Sequence, residues 1–397
     1  MELYERLRGT MESTSSVSCH CHHLPDAEQH FNNLDAIIAR SYVEWSKVPH
    51  GPGAQERAAF LDLVRHKSYF VWLERSLVKL YGLDARIDSG NWDELSRRIA
   101  AAYSDPEWHV KLLTERCRFR AVVLDAYWSP GNDDGHPSLF KPSFRIDGFL
   151  DAWAPEKANQ DGTSFLSLYG KHIGELDELV EFLRESVFAM KKRGVVALKS
   201  AIAYERGLKF RNVDARVAAA AIRKGEGAEP AEVEAFQSYV FFAACSVAAE
   251  AGLPFQIHTG LGQLRKTRAL GLVDAIETHP ETKFVLFHGS YPWTDDIAAL
   301  VHNFANVYPD FCWLPLISTS RAVAFVKEIV ELGTTDKLTW GCDAHHGEES
   351  YAALLAARHT LAKAFSELVA EDWMDEEEAS DYCVRILDRN PRNLYGV

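Results

Sequence analysis

The chain has 397 residues, 47% of them hydrophobic and 25% charged, which is the composition of a globular protein with a sizeable core. Its formal net charge of −14 argues against a nucleic-acid partner, because phosphate neutralisation needs clustered lysine and arginine. The longest apolar runs are far shorter than the about 20 residues of a membrane span, and residues 1–14 do not have the pattern of a signal peptide. Seven cysteines, scattered and odd in number, suit reduced thiols, so we expect a cytoplasmic protein without a membrane partner.

The first notable stretch is rich in histidine and cysteine and follows a short amphipathic helix predicted over residues 1–14. Residues 17–22 are β-prone, and alternate side chains of a strand share one face, so His20 and His22 can grip one metal ion. A zinc ribbon built on Cys19 and Cys21 would need wider cysteine spacing and a second pair, which the sequence lacks. An exposed or core pair of histidines is the structural alternative.

The next segment, residues 24–116, has no convincing strand. Apolar residues recur at helical spacing over 54–81, and Gly82 follows as a C-cap. Two further helices are predicted to begin at Asn91 and at Ser104. We interpret residues 24–116 as a helical insertion that forms a wall or lid over a site.

Beyond this segment, short apolar strands alternate with helices. Including the first strand, the predicted strands are residues 17–22, 118–125, 143–150, 195–199, 255–258, 284–288, 307–314 and 338–343. Eight strands separated by helices predict an α/β fold, a (β/α)8 TIM barrel, followed by C-terminal helices at 349–369 and 376–387. A doubly wound sheet is the alternative, but the Gly-rich turn typical of that fold does not follow the first strand. We expect residues 1–397 to form a single domain.

Side chains able to bind a metal or to react stand at the ends of five predicted strands. They are His20, His22, Lys199, His258, His288 and Asp343. In a parallel barrel these ends converge on one face, where the active site is built. Singly, each has a structural explanation: a hydrogen-bonded core histidine, an ion-paired lysine or a helix-capping aspartate. Together they suit Zn²⁺, or Mn²⁺, Fe²⁺ or Ni²⁺, which these donor types separate poorly.

Several short motifs are similar to those of a known family. They are Cys19-His20-Cys21-His22, Leu198-Lys199-Ser200, Gln256-Ile257-His258-Thr259-Gly260, Leu286-Phe287-His288-Gly289, Gly341-Cys342-Asp343 and the ending Asn390-Pro391-Arg392-Asn393-Leu394-Tyr395-Gly396. In this order and at these strand ends they resemble the amidohydrolase superfamily, and most closely its amidohydrolase-related branch. The helical insertion, His20-Cys21-His22 and residues 31–34 also resemble uronate isomerase, a member of that superfamily that does not catalyse hydrolysis.

The resemblance implies a set of metal ligands. His20 and His22 match the first-strand ligands and His258 the fifth-strand ligand. Asp343 matches the eighth-strand residue, which binds metal and shuttles a proton. The expected cofactor is a divalent metal, Zn²⁺ above the others, as one or two ions.

Two further positions leave alternatives open. His288 matches the sixth-strand histidine, which binds a second metal or polarises the substrate. Lys199 matches a lysine that is carbamylated and bridges two ions in binuclear members. An unmodified lysine that contacts water or a substrate anion is equally compatible with the Leu-Lys-Ser setting of Lys199.

The first functional hypothesis is metal-dependent hydrolysis of a C–N bond, in an amide or cyclic amide, or of an ester, in a small polar substrate. A divalent ion lowers the pKa of bound water to about 7. Asp343 then acts as general acid and base, and His288 steadies the oxyanion. Arg206, Tyr204 and Trp293 are candidate substrate contacts.

Other reactions fit the same residues. The same metal could support non-oxidative decarboxylation or a uronate-type aldose–ketose isomerisation, because reaction class follows the loops rather than the fold. A metal-free enzyme with a Schiff base on Lys199 and a silent barrel used for binding are the remaining alternatives. His345 and His346 are interpreted as supporting or solvent-exposed residues. The sequence leaves open whether the barrel forms a homo-oligomer.

Overall fold

The computed structural model describes residues 2–397, and its centre is a parallel sheet of seven strands in the order β1 to β7. The strands are β1 Ser16–Cys21, β2 Phe119–Leu124, β3 Phe140–Arg145, β4 Ala197–Ser200, β5 Phe255–Ile257, β6 Phe284–Leu286 and β7 Val307–Pro309. Each strand pairs in parallel with the next strand along the chain. All seven carboxyl ends therefore lie at the same edge of the sheet.

Residues 338–343, predicted as an eighth strand, do not form one in the structure. A single parallel bridge joins Asp310 to Thr339. On the other side, the N–H of Cys19 donates to the oxygen of Trp340 at 3.0 Å, and the N–H of Asp343 to that of His20 at 2.9 Å. The segment thus lies between β7 and β1 and links the two edges of the curled sheet, while the positive φ of 51° at Asp343 ends its extended course.

Eighteen α-helices, with short 3₁₀ and π segments, complete the described chain. The first nine are α1 Glu2–Ser13, α2 Leu34–Ala39, α3 Ala54–Val64, α4 Ser68–Tyr81, α5 Trp92–Ala102, α6 Trp108–Lys111, α7 Asp147–Leu150, α8 Phe165–Tyr169 and α9 Leu176–Lys192. The others are α10 Ala215–Lys224, α11 Pro230–Ala251, α12 Val273–Thr278, α13 Thr294–Asn303, α14 Leu314–Ile317, α15 Thr319–Leu332, α16 Gly347–Ala370, α17 Glu376–Val384 and α18 Asn390–Tyr395. The helix predicted over 1–14 is α1, and Met1 lies outside the described residues. No helix in residues 2–397 combines the length and the apolarity that a membrane crossing requires.

Helices α2 to α6 all lie between β1 and β2. They enclose an apolar cluster that runs from Phe31 to Ile99 and is separate from the main core around the sheet. Trp92 and Leu95 of α5 are fully buried in it. The helix predicted over 54–81 is two helices, α3 and α4. That these helices are an insertion, and that residues 1–397 are one domain, stay predictions.

Two strand predictions were wrong in their bounds. The strand predicted over 143–150 is β3, which ends at Arg145 and is followed by the short helix α7. A proline inside a central strand usually argues against a strand, but Pro142 in β3 still accepts a hydrogen bond from the N–H of Val196. The strand predicted over 307–314 ends at Pro309, because Trp313 turns the chain with a φ of 60° and α14 begins.

Candidate metal centre

The two histidines at the end of β1 share one face of the strand, as predicted. His20 Nε2 and His22 Nε2 each lie 3.4 Å from the same carboxylate oxygen, Oδ1 of Asp343. Two atoms that are each about 2.1 Å from one ion in tetrahedral geometry are about 3.4 Å apart. Each of the two histidine nitrogens is therefore separated from this carboxylate oxygen by the distance expected between two ligands of one Zn²⁺-sized ion. His20 and His22 also converge with Asp125, and Asp343 with His288 and Cys312, closely enough to hold an ion.

The backbone around β2 fixes the orientation of His22. Its Nδ1–H donates to the carbonyl oxygen of Asp125 at 2.9 Å, so that the lone pair of Nε2 points towards Asp343. Metal-binding histidines are commonly held by such a hydrogen bond from the second ring nitrogen. Nδ1 of His20 is buried and has no hydrogen-bond partner among residues 2–397.

Lys199 reaches the same centre from the end of β4. Its Nζ lies 3.2 Å from Nε2 of His20, 4.0 Å from Oδ2 of Asp125 and 4.2 Å from the centre of the Phe287 ring. The side chain is almost fully buried, and burial lowers the pKa of Lys199 while Asp125 opposes that effect. Nζ of Lys199, which can carry a positive charge or be carbamylated, therefore lies next to Nε2 of His20, the proposed metal ligand.

His258 and His288 form a pair at the ends of β5 and β6. Nε2 of His258 contacts the carbonyl oxygen of Leu261, an arrangement that requires a proton on this nitrogen. Nδ1 of His258 is then an acceptor for the Nε2–H of His288, at 2.9 Å. Nδ1 of His288 faces Sγ of Cys312 at 3.2 Å and Oδ2 of Asp343 at 3.6 Å. In this structure His258 thus contacts His288, and His288 contacts Asp343.

Burial sets the charge state of this centre. It lowers the pKa of His22 and of His258 to about 3, and it lowers those of His20 and His288 well below the usual value. Neutral imidazoles are the form that binds metals. Burial raises the pKa of Asp343 to about 7, although Lys199 and the hydroxyl of Tyr42 both act to lower it.

Three residues around the centre have a left-handed backbone. The φ angles of His288, Trp313 and Asp343 are 65°, 60° and 51°. Non-glycine residues rarely adopt positive φ, and where they do they often lie at functional sites. The turn at each of these residues directs a side chain over the carboxyl end of the sheet.

The candidate centre also includes residues that the sequence analysis did not single out. Asp125 follows β2, and its carboxylate forms an ion pair with Arg145 at the end of β3 at 2.5 Å. Burial opposes ionisation, yet Arg145 and Lys199 hold the pKa of Asp125 below its ordinary value. The same strand-end rule that selected Lys199 and His258 would have found Asp125, at the end of the strand predicted over 118–125. It would not have found Arg145, because the strand predicted over 143–150 was wrong in its end. Cys312, beside His288, follows β7, whose predicted end was wrong.

An aromatic rim from the helical segment covers the centre. The ring of Tyr42 lies 5.0 Å from Trp313, and Trp313 lies 5.3 Å from His288. Tyr69 of α4 stacks on Tyr42 at 5.6 Å. The hydroxyl of Tyr42 acts to lower the pKa of Asp343. No spacing rule points to these tyrosines, because their approach depends on how the helical segment packs.

The three predicted substrate contacts occupy different places. Tyr204 lies against His258 with ring centres 4.4 Å apart, and so belongs to the rim. Arg206 instead donates to the carbonyl oxygens of Gly207 and Lys209 and lines a cavity of about 1000 Å³ beside α11. Trp293 lies under the guanidinium of Arg268, on the outer side of the loop after β6.

The two histidines after Asp343 are not solvent-exposed. His345 stacks on His22 with ring centres 5.5 Å apart, and burial lowers its pKa to about 4. His346 is fully buried, and its Nδ1 lies 3.0 Å from Oε2 of Glu348 at the start of α16. His345 thus packs directly on a residue of the centre, and its supporting role stays a prediction.

Residues 189–397 match the model of a family described as amidohydrolase. Protein fluG of Emericella nidulans is 32% identical over 150 residues, which are 36% of this chain and 17% of the length of fluG. A uronate isomerase of Xanthomonas campestris is 22% identical over 402 aligned residues, which cover 90% of this chain and 82% of that protein.

Solved structures show a similar fold. A uronate isomerase from Thermotoga maritima superimposes with a TM-score of 0.81 at 16% identity, over 99% of this chain and 97% of that one. A protein from Lactobacillus casei described as a metal-dependent hydrolase superimposes with a TM-score of 0.71 at 19% identity, over 98% and 97%. At such low identity the likeness extends to the α/β fold with its parallel, TIM-barrel-like sheet.

Proposed function

The chain belongs to the amidohydrolase family, and we propose that it is a metal-dependent hydrolase of a C–N bond, in an amide or cyclic amide, or of an ester. The substrate is a small polar molecule. The observation that carries this proposal is the placement of His20 Nε2 and His22 Nε2, each 3.4 Å from Oδ1 of Asp343. Neutral imidazoles and a carboxylate at this spacing are a donor set for Zn²⁺.

The residues that would hold the ion are His20, His22 and Asp343. When bound, a divalent ion polarises the scissile carbonyl group and makes water a nucleophile near neutral pH. Histidines that are fully buried (His20) or largely buried (His22) and have strongly lowered pKa values fit this cofactor, because they present lone pairs rather than protons. The Nδ1–H of His22, held by the carbonyl oxygen of Asp125, keeps one ligand oriented before the ion arrives.

Asp343 is proposed as the general base and then the general acid. Its carboxylate takes a proton from the attacking water and later gives that proton to the leaving nitrogen or oxygen. Burial raises its pKa to about 7, close to the value at which one group can do both at neutral pH. The nearby cation of Lys199 lowers the pKa of Asp343, and so favours the ionised carboxylate that accepts the proton in the first step.

His288 and Tyr42 are proposed to surround the developing charge. His288, 3.6 Å from Asp343, has its second nitrogen held by His258, so the ring is oriented before substrate binds. A rotation that frees its Nε2–H from His258 would let it donate to an oxyanion. The hydroxyl of Tyr42, which acts to lower the pKa of Asp343, is proposed to donate to substrate as well.

Lys199 decides between one ion and two. If its amine is carbamylated, it becomes an anionic ligand that could help to hold a second ion. His258 and His288 could reach that ion only after breaking the contacts that they make with each other and with the carbonyl oxygen of Leu261. If it is unmodified, its ammonium group stays beside Nε2 of His20 and contacts a substrate anion.

Tyr204 is the proposed substrate contact nearest the centre. Arg206 and Trp293 lie further out and would contact only a substrate that extends away from the centre.

A uronate-type isomerisation is the second candidate function. It is favoured by the similarity to the Xanthomonas campestris uronate isomerase, which extends over 90% of this chain. The same buried Asp343 could move a proton between neighbouring carbons of a sugar acid. Decarboxylation of an acid would use the same metal, but it has weaker support than isomerisation.

Product analysis separates these candidates. Metal-loaded enzyme is incubated with panels of amides and cyclic amides, esters, uronates and aromatic acids, and released amine, acid, ketose and CO2 are measured. Amine or acid release that is abolished in Asp343→Asn supports hydrolysis. Ketose formation alone would replace the hydrolase proposal by isomerisation, and CO2 release alone by decarboxylation.

Metal analysis tests the role of Lys199. Ions per chain are measured in wild type and in Lys199→Ala purified without chelator. A loss of one ion in the variant supports the carbamylated bridge. An unchanged count supports the unmodified lysine and a mononuclear centre.

A further inference from the structure

A second cluster of metal-binding side chains lies outside the centre described above. It consists of Asp26, His109 and His136, here called the Asp26 cluster. Asp26 follows β1, His109 belongs to α6 at the end of the helical segment, and His136 belongs to the loop between β2 and β3. Three separate parts of the chain therefore meet at one carboxylate.

The donor atoms of the Asp26 cluster converge closely. Nε2 of His109 lies 2.8 Å from Oδ1 of Asp26, and Nε2 of His136 lies 2.9 Å from Oδ1 and 3.1 Å from Oδ2. In a tetrahedral zinc site such ligand atoms are about 3.4 Å apart, so an outward shift of about 0.5 Å makes room for the ion. A shift of this size is within the reach of side-chain rotation.

The charge balance of the cluster also suits a cation. Within residues 2–397, Asp26 forms ion pairs only with these two imidazoles, and with no lysine or arginine. His109 is 2% exposed, whereas the side chain of Asp26 is 55% exposed. The ring of His109 is thus fixed by the core, while the carboxylate faces solvent that can deliver an ion and complete its ligand sphere with water.

Two neighbouring side chains point to an incomplete polar site. Oδ2 of Asp134, two residues before His136, is buried and lacks a hydrogen-bond partner within the described chain. His23, stacked on His109 with ring centres 5.6 Å apart, is 1% exposed, and neither of its ring nitrogens is hydrogen-bonded to any of residues 2–397. Buried polar atoms are rarely left without partners in folded proteins.

We propose that Asp26, His109 and His136 bind a divalent metal ion, Zn²⁺ or a related ion, that fastens the helical segment and the β2–β3 loop to the end of β1. Two imidazoles and one carboxylate with open positions are a donor set for such ions. The ion is structural: its three ligands form a group separate from the catalytic centre, and His109 among them stacks on His23. It therefore stabilises the wall of the catalytic centre rather than taking part in the reaction.

The test is a count of Zn²⁺ ions retained per chain by the full-length protein. The protein is freed of metal with a chelator, incubated with excess Zn²⁺, passed over a desalting column and analysed by elemental analysis. The variants are Asp26→Asn and His136→Gln, which keep the size of the side chain but weaken or remove a ligand. His302→Gln, an exposed histidine on α13, is the matched control, and His22→Gln reports the catalytic centre.

We expect Asp26→Asn and His136→Gln to retain one ion fewer than wild type, and His302→Gln to retain the wild-type number. The double variant His22→Gln/His136→Gln should lose more zinc than either single variant. Zn²⁺ should raise the unfolding temperature of His22→Gln, and this rise should disappear in the double variant. Wild-type zinc retention by both Asp26→Asn and His136→Gln, with circular dichroism showing that both are folded, would overturn the proposal.

Discussion

The helical segment between β1 and β2 and the carboxyl end of the sheet bury very different side chains. The segment encloses an apolar cluster of its own, with Trp92 and Leu95 at its centre. The sheet end encloses His20, Lys199 and Asp343, all at least 95% buried. Burying apolar surface stabilises a fold, whereas burying groups that can ionise costs free energy unless they are paired or bind a metal.

The helical segment and the sheet end therefore contribute differently to stability and to function. The helical segment contributes stability and covers the centre with Tyr42 and Tyr69. The sheet end instead buries groups that can ionise, which lowers the stability of the fold. Buried groups with shifted pKa values are typical of functional sites. Substitutions in the two regions should therefore affect different measurable properties.

The largest effect is expected for Asp343→Asn. The amide cannot accept and return a proton, so kcat should fall about 1000-fold, equivalent to about 4 kcal/mol of transition-state stabilisation. Unfolding by urea should change little or show a gain in stability, since a buried carboxyl with a raised pKa is replaced by a neutral group. Asp295→Asn, an exposed residue at the start of α13, is the control and should keep full activity. Equal losses in both variants would contradict this role of Asp343.

Leu95→Ala should show the opposite pattern in the helical segment. Removing a fully buried leucine side chain costs about 3 kcal/mol of unfolding free energy, measured by urea denaturation. Arg97→Ala, exposed on the same helix, should cost less than about 0.5 kcal/mol. Because the apolar cluster is separate from the main core, hydrogen exchange should rise mainly in residues 31–99. A uniform rise over the sheet would show that the two regions unfold as one.

Tyr42→Phe tests the place where the two regions meet. The hydroxyl of Tyr42 lowers the pKa of Asp343, so its removal should raise that pKa and move the acidic limb of the pH–rate profile to higher pH. A loss of about 10-fold in kcat/KM is expected, equivalent to about 1.4 kcal/mol. Tyr69→Phe, which keeps the ring stacked on Tyr42, is the control. An unchanged pH profile in Tyr42→Phe would contradict the contact.

The smallest effect concerns helix α1, which packs on α16 through a hydrogen bond from the hydroxyl of Tyr4 to Nδ1 of His359 at 2.7 Å. Burial, with help from Arg75 and Lys363, lowers the pKa of His359 to about 4, below the about 6.5 of an unfolded histidine. Between these two values the unfolded chain binds more protons, so the contribution of His359 to stability is present above pH 6.5 and is lost as the pH falls towards 4.

His359→Gln should therefore flatten the dependence of stability on pH between 6.5 and 4. Because the side chain is only half-buried, solvent screening limits the effect to about 1 kcal/mol or less, measured by urea unfolding at several pH values. His302→Gln should keep the wild-type dependence. A wild-type slope in His359→Gln would place the titration elsewhere.

The strand-end residues could be predicted from the sequence because two simple rules apply to them. Side chains alternate along a strand, and parallel strands bring their carboxyl ends to one edge. These rules predicted that His20, Lys199 and Asp343 would meet. In the structure, Nε2 of His20 lies 3.2 Å from Nζ of Lys199 and 3.4 Å from Oδ1 of Asp343. The resemblance to amidohydrolases is confirmed by the family match over residues 189–397.

Other features depend on contacts that no local pattern contains. Tyr42 reaches Asp343 only because the helical segment folds back over the sheet, and a spacing rule cannot predict that packing. β7 ends at Pro309, and four residues later Trp313 has a positive φ and packs against Tyr42, which is distant in the sequence. Segment 338–343 hydrogen bonds to neighbours on both sides but lacks the regular ladder of a strand.

The most direct test of the account is to locate the metal itself. Crystals of the full chain grown with Zn²⁺ would be measured on both sides of the zinc absorption edge. We expect an anomalous peak coordinated by Nε2 of His20, Nε2 of His22 and the carboxylate of Asp343, and we expect this peak to disappear in His22→Gln. Ordered side chains with no anomalous peak between them, at saturating Zn²⁺, would contradict the proposal of a metal-dependent enzyme.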